Sequence, residues 1–329
     1  MNNTKSVLLS FCFSLIVISA NAQQVLFELP LKGITGKDYW VSNYMDHEAS
    51  SLVRDAFCGD LSYNGHTGTD FAIRNFAAMD SGVEVYAVTP GVVVDAHDGE
   101  FDRNTVWKKG AIPNRVVIKD ADGLVTTYLH LRKGSVAVAV GDTVKGGQVL
   151  GLVGSSGVSS GPHLHLEVHD TTGKVIDPFK GNCNTGAGLW KEQLPYDTAF
   201  YIIDYGFVPF KLADYSSERP PYGWGDTLTI GPKDFVSFWT NVRGVKRGQV
   251  FKTEWYDTYG DHLFGFENKA ERSNWFHLYW SYVDLGGRGM SGRCWVKVFI
   301  NDKEVLTLPF YIIRKAESTP QKKGKKPAH

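Results

Sequence analysis

The sequence predicts an all-β protein: an antiparallel-sheet domain with a polar groove, then a C-terminal β-sandwich of immunoglobulin-like character. Three observations carry that expectation. Short Val-rich runs separated by Gly or Asp turns recur from residue 61 to about 180. No ten-residue stretch among them has helical periodicity. A second series of strand-like runs fills about 197–313, some with apolar residues on both alternating faces.

In chain order, residues 1–22 read as an export signal. Lys5 supplies the positive end, V-L-L-S-F-C-F-S-L-I-V-I-S-A the apolar run, and Ala20-Asn21-Ala22 the cleavage site. That run is too short to span a membrane, and no other apolar run reaches spanning length. Cys12 lies in its middle, which does not fit a lipoprotein signal. The mature chain is therefore expected to begin near Gln23 as a soluble periplasmic or secreted monomer. Residues 23–60 hold short aromatic segments (V-L-F-E-L-P, D-Y-W-V-S-N-Y) expected to wrap the domain at 61–182. That domain's strands read as V-E-V-Y-A-V, G-V-V-V-D-A, R-V-V-I-K-D, V-T-T-Y-L-H-L, Q-V-L-G-L-V and H-L-H-L-E-V.

A Gly- and Asn-rich linker is expected at 183–196, the sandwich at 197–313 and a basic disordered tail at 314–329. Of nine Trp residues, six fall in this later part: Trp224, Trp239, Trp255, Trp275, Trp280 and Trp295. Most are expected in its core, with an exposed platform for glycan as the minority reading. Formal charge is zero overall, but the tail from Arg314 carries a local +5. Nothing resembles a nucleic-acid-binding face.

The chemistry lies in H-T-G-T-D (66–70), Y-L-H-L (128–131) and P-H-L-H-L-E-V (162–168). Strand alternation puts His163 and His165 on one face, with Leu164, Leu166 and Val168 underneath. Glu167 and His169 extend the polar face. His66 and Asp70 would lie about 13 Å apart on a straight strand, so the chain must bend, with Gly68 expected to permit it. Imidazole and carboxylate ligands suit Zn²⁺, and three protein ligands leave a position for water. Five candidates (His66, Asp70, His130, His163, His165) compete for three ligand positions, and spacing alone does not choose among them. His47, His97, His262 and His277 read as ordinary strand or surface residues.

From about Tyr63 to Asp177 the chain resembles the lysostaphin-type (beta-lytic) zinc endopeptidases that cut peptidoglycan peptides. The matching pieces run in order: G-H-T-G-T-D-F-A, V-Y-A-V-T-P-G-V-V-V-D-A, L-V-T-T-Y-L-H-L, V-G-D-T-V-K-G-G-Q-V-L-G-L-V-G-S-S-G and S-S-G-P-H-L-H-L-E-V. The resemblance implies that His66, Asp70 and His165 hold one zinc ion, and that His130 and His163 flank the reacting water and the tetrahedral intermediate. Tyr63 is a candidate oxyanion donor and equally a packing residue. No signature residue is missing. The stretch between Val94 and Val116 is longer than the family's usual loop, so the groove's shape does not carry over.

Export allows disulfides. Cys58 and Cys183 flank the same site and are expected to pair, leaving Cys294 as a buried thiol. Gly157-Val158-Ser159-Ser160-Gly161 matches the serine-hydrolase elbow, but Pro162 and a strand follow where that motif needs a helix. The same run lacks the Gly-Lys-Ser/Thr of a phosphate loop and reads as a mobile rim of the groove. The function expected is an exported zinc endopeptidase acting on peptidoglycan cross-links. The alternatives are an endopeptidase for Gly-rich proteins and a non-catalytic peptidoglycan-binding regulator.

Overall fold

Alternation decides the first sheet. In the computed structural model, which describes residues 26–212, 225–271, 273 and 276–315, ten strands form before residue 180. They are β1 (Tyr39–Asn43), β2 (Thr69–Ile73), β3 (Glu84–Tyr86), β4 (Gly91–His97), β5 (Asn114–Lys119), β6 (Val125–Leu131), β7 (Thr143–Val144), β8 (Val149–Leu152), β9 (His163–His169) and β10 (Val175–Ile176). Seven of them run in the order β1-β2-β9-β6-β5-β4-β7, with β10 also on β9, and β3 pairs separately with β8. One face of the large sheet buries Phe71, Val93, Val116, Ile118, Tyr128, Leu164, Leu166 and Val168 to 1% exposure or less. Each such side chain contributes roughly 1.5–3 kcal/mol. The opposite face is left for polar groups.

Three features depart from the expected outline. The N-terminal segment does more than wrap, because β1 hydrogen-bonds to β2 as an added edge strand. A six-residue helix, α1 (Phe76–Ser81), follows β2, capped by Asn75, whose side chain accepts from Ala78 N at 2.8 Å. Under two turns long, it has no room for a helical period. Residues 183–196, expected as a linker, are packed: Leu189 and Trp190 are buried, and Phe27 N donates to Leu189 O at 2.7 Å.

The C-terminal half has its own core. Its strands are β11 (Tyr201–Val208), β12 (Thr227–Ile230), β13 (Phe235–Arg243), β14 (Val250–Tyr256), β15 (His262–Lys269), β16 (His277–Asp284), β17 (Gly292–Ile300) and β18 (Lys303–Arg314). They form a three-stranded sheet, β11-β13-β16, and a five-stranded sheet, β12-β18-β17-β14-β15. The sheets meet where Phe207 of β11 stacks on Phe310 of β18, with ring centroids 4.6 Å apart. This is the two-sheet packing expected of a sandwich; the pairings do not by themselves assign an immunoglobulin strand order. Neither β11 nor β15 was legible as a strand. Gly206 interrupts β11 where the Trp239 indole leaves no space for a Cβ. β15 is a largely exposed edge, so burial imposes no alternation on it. Of the tryptophans, Trp239 and Trp255 are buried, Trp280 and Trp295 are half-buried, and Trp224 and Trp275 lie outside the described residues. The export signal and the tail from residue 316 also lie outside them. No helix among the described residues is long and apolar enough to cross a membrane.

A disulfide joins Cys58 to Cys183 across 125 residues, and Cys294 is a buried free thiol. The bond ties the loop before β2 to the segment after β10. Cys183 N also donates to Ala56 O at 2.8 Å. Replacing both cysteines by serine is expected to cost about 2–5 kcal/mol, chiefly by freeing the unfolded chain. Urea unfolding at fixed metal concentration measures it; an unchanged midpoint would contradict a structural role for the bond.

Candidate metal centre

Register brings the site together. β2 and β9 pair so that Asp70 faces His165 and Ala72 faces His163, and β6 places Leu129 opposite His165 from the other side. His66 enters from the loop before β2. Its Nε2 lies 3.2 Å from Asp70 Oδ1 and 3.1 Å from His165 Nδ1, and His165 Nδ1 lies 2.8 Å from Asp70 Oδ1. All three residues are buried. Gly68 is needed here for a reason other than the bend. Its φ is not positive; a Cβ there would sit 2.6 Å from both His165 Nε2 and Leu166 O. The left-handed turn falls on Gly65, at φ 77°.

The outer hydrogen bonds fix which ring atoms face inward. His66 Nδ1 donates to Tyr44 O at 2.7 Å, leaving the Nε2 lone pair free. His165 Nε2 donates to Glu167 Oε1 at 3.1 Å, leaving Nδ1. Glu167 is braced by Thr67 Oγ1 and by His169 Nε2, the latter at 3.0 Å. Asn43 Nδ2 donates to the second Asp70 oxygen at 3.0 Å. Three lone pairs thus converge on one point, an arrangement that repels itself unless a cation or proton lies between them. Ligands on a tetrahedral zinc lie about 3.4 Å apart, close to the spacings here. The donor set fits zinc, and the three residues are the ones that would hold it.

The ionisation of the cluster points the same way. Burial opposes the Asp70 charge, yet the surrounding imidazoles of His66, His163 and His165 hold its carboxyl well below the usual range. Burial likewise disfavours a charged His165, but hydrogen bonds to Asp70 and Glu167 outweigh it and raise the ring to about 9. Glu167 is also partly desolvated, and its bonds to His165 and Thr67 bring it down to about 2. The pocket draws positive charge.

His130 and His163 stand beside this trio, their rings 4.6 Å apart. His163 Nε2 lies 3.7 Å from Asp70 Oδ1. Each ring's Nδ1 donates to a carbonyl, His130 to Ser156 O at 2.6 Å and His163 to Gly161 O at 2.8 Å. Both therefore keep an Nε2 lone pair. Burial lowers the pKa of each, so both are neutral near pH 7. His130 adopts φ 66°, a conformation costing on the order of 1–3 kcal/mol for a residue with a Cβ.

The Gly/Ser run, expected as a rim of the groove, does border it through Val158, Ser160 and Gly161, and its other serines form a buried scaffold. Ser155, Ser156 and Ser159 are buried. Ser155 Oγ bonds Ser159 Oγ and Asn104 O, both at 2.7 Å, and Ser156 Oγ donates to Leu131 O at 2.8 Å. The long stretch after Val94 is stitched to this run, and its Trp107 meets Tyr63 edge-on at 5.4 Å. Tyr63 lies against His66, and burial with the nearby Asp70 charge pushes its pKa up, so it keeps a proton to donate.

Asp70, His130, His163 and Tyr63 line one groove, and His66 and His165 lie against Asp70 behind it; His47 and His97 bond Asp177 and Glu100 instead. Sequence reasoning missed Asn43, the Ser156 and Gly161 carbonyls, and the bracing role of Glu167 and His169. Only Glu167 and His169 left a signal, by lying on the His165 face of the strand. Glu167→Gln is expected to weaken zinc binding by roughly 10–100-fold, because the His165 tautomer loses its anchor. Chelator competition measures this, and unchanged affinity would contradict that role.

Residues 64–178 match the model of peptidase family M23. The chain is 36% identical over 113 residues to a DD-carboxypeptidase/endopeptidase, Mpg, of Neisseria meningitidis serogroup B, covering 34% of this chain and 22% of that protein. It is 35% identical over 129 residues to the peptidoglycan DD-endopeptidase ShyA of Vibrio cholerae, covering 39% of this chain and 26% of that one. The chain thus spans about a quarter of the length of these curated relatives. Among solved structures, the catalytic domain of lysostaphin from Staphylococcus simulans matches at 26% identity and a TM-score of 0.27, over 41% of this chain and 89% of that one.

Proposed function

Residues 64–178 of this chain are a peptidase family M23 domain, and from that premise we propose an exported zinc-dependent endopeptidase that hydrolyses peptide cross-links of bacterial peptidoglycan. One observation supports it above the rest. Three buried lone pairs, on His66, Asp70 and His165, converge within 3.2 Å of one another beside two neutral imidazoles. A bound zinc ion supplies Lewis acidity toward a carbonyl and makes hydroxide available near neutral pH.

The remaining work falls to the chain's own groups. His130 and His163 offer Nε2 lone pairs to the attacking water and take its proton, and one of them returns a proton to the leaving amine. Their Nδ1–H bonds to Ser156 O and Gly161 O stabilise the imidazolium that forms and hold each ring in place. The Tyr63 hydroxyl donates to the developing oxyanion.

A non-catalytic regulator would not need the two proton-carrying imidazoles held in matched tautomers. The name of the Vibrio cholerae relative, a peptidoglycan DD-endopeptidase, favours a peptidoglycan peptide over a Gly-rich protein as substrate.

Purified cell walls with different cross-bridges, digested and read by mass spectrometry, test this. Zinc-loaded protein is expected to release cleaved cross-links, and EDTA to abolish release. Full activity in metal-free protein would refute the metal's role. His163→Ala should keep its zinc but lose about 10²–10⁴-fold in turnover; wild-type turnover in that variant would remove His163 from the mechanism.

A further inference from the structure

The groove does not end within the metal-site domain. Its lining includes Arg74, Asn75 and Phe76 just after β2, and Asn241 and Phe276 from the C-terminal half. The two halves are fixed here by polar bonds. Asn75 Nδ2 donates to Asp204 Oδ2 at 2.5 Å, and Arg74 Nε donates to Ile203 O at 3.1 Å.

Asp70 and Ala72 share the groove face of β2, and Arg74, directly after the strand, lines the same groove. Arg74 therefore lies about 13 Å along the floor from the zinc-ligand position. An extended peptide covers that span in about four residues. The Ile203 carbonyl uses only Nε, and among the described residues the Arg74 guanidinium forms no ion pair. The nitrogens of its fork remain for a ligand. In the same wall, the buried Trp40 Nε1 has no acceptor.

We propose that Arg74 is a specificity-determining residue that binds a free carboxylate of the peptide substrate at the groove end closed by the C-terminal half. A planar guanidinium held at Nε presents a fork that matches a carboxylate, and charge-assisted pairing of this kind is the strong form of hydrogen bond. The neighbouring Asp204 carboxylate offsets part of the Arg74 charge, which suits a singly charged group over a phosphate. The apolar Phe276 and Trp40 rings line the same groove. The substrate is thereby an acidic peptide, with its carboxylate within about four residues of the scissile bond. This reading deepens the endopeptidase proposal and rests on it for the direction of the bound chain.

Binding in EDTA separates the two. The full chain is titrated by calorimetry with a cross-linked stem-peptide dimer whose carboxylates are free, and with the same dimer as its carboxamide. Wild type is expected to bind the acid form about tenfold more tightly, Arg74→Gln to erase the difference, and Arg74→Lys to keep part of it. Equal affinity of wild type for the two peptides overturns the proposal without needing any variant. An equal loss on both peptides in Arg74→Gln also overturns it, since that is the mark of a loosened interface. The acid preference without turnover once zinc is added would refute the endopeptidase reading and leave the carboxylate site standing. Turnover with no preference would do the reverse.

Discussion

Asp70 faces His165 because β2 and β9 pair in one register, and the rest of the site depends on that pairing. Strand side chains alternate, so a slip of one residue would carry Leu164, Leu166 and Val168 to the groove and the histidines into the core. Those three side chains are essentially inaccessible. Their burial, at roughly 1.5–3 kcal/mol each, makes the slipped register far costlier than anything the polar face could repay. The core thus sets the positions of Asp70 and His165, two of the residues that would hold a metal, before any ion is present. Gly68 adds a second lock, since the backbone of β9 and the His165 ring pass too close for any side chain there.

Around the trio, each polar group is oriented by another. Glu167 holds the His165 ring, Tyr44 O holds His66, and Asn43 holds the far oxygen of Asp70. The Ser-rich run does the same for His130 and His163 through two carbonyls. Buried polar networks are costly unless complete, and among His66, Asp70 and His165 the unmet demand is the set of inward lone pairs, which a cation would meet. His130 carries the backbone strain at that point, and the buried serines beneath it are what hold it there.

The sheet, its groove face and the five signature residues were legible because period-two alternation and His/Asp spacing survive in a linear chain. The Cys58–Cys183 pair was legible from its position on either side of the site. What escaped notice depends on three-dimensional approach. Ser155, Ser156 and Ser159 looked like a surface loop because small polar residues carry no sign of burial. β15 showed no alternation because neither of its faces is deeply covered. Arg74 and Asn75 gave no signal because their partners, Ile203 and Asp204, lie 129 residues away.

The central claim, one zinc held by two imidazoles and a carboxylate that the sheet register has already aligned, is tested most directly by X-ray absorption at the zinc edge on the loaded full-length protein. The account predicts a first shell of light atoms only, at about 2.0–2.1 Å, with outer-shell scattering from two imidazole rings. A sulfur ligand at about 2.3 Å, or scattering from three or four imidazoles, would contradict it.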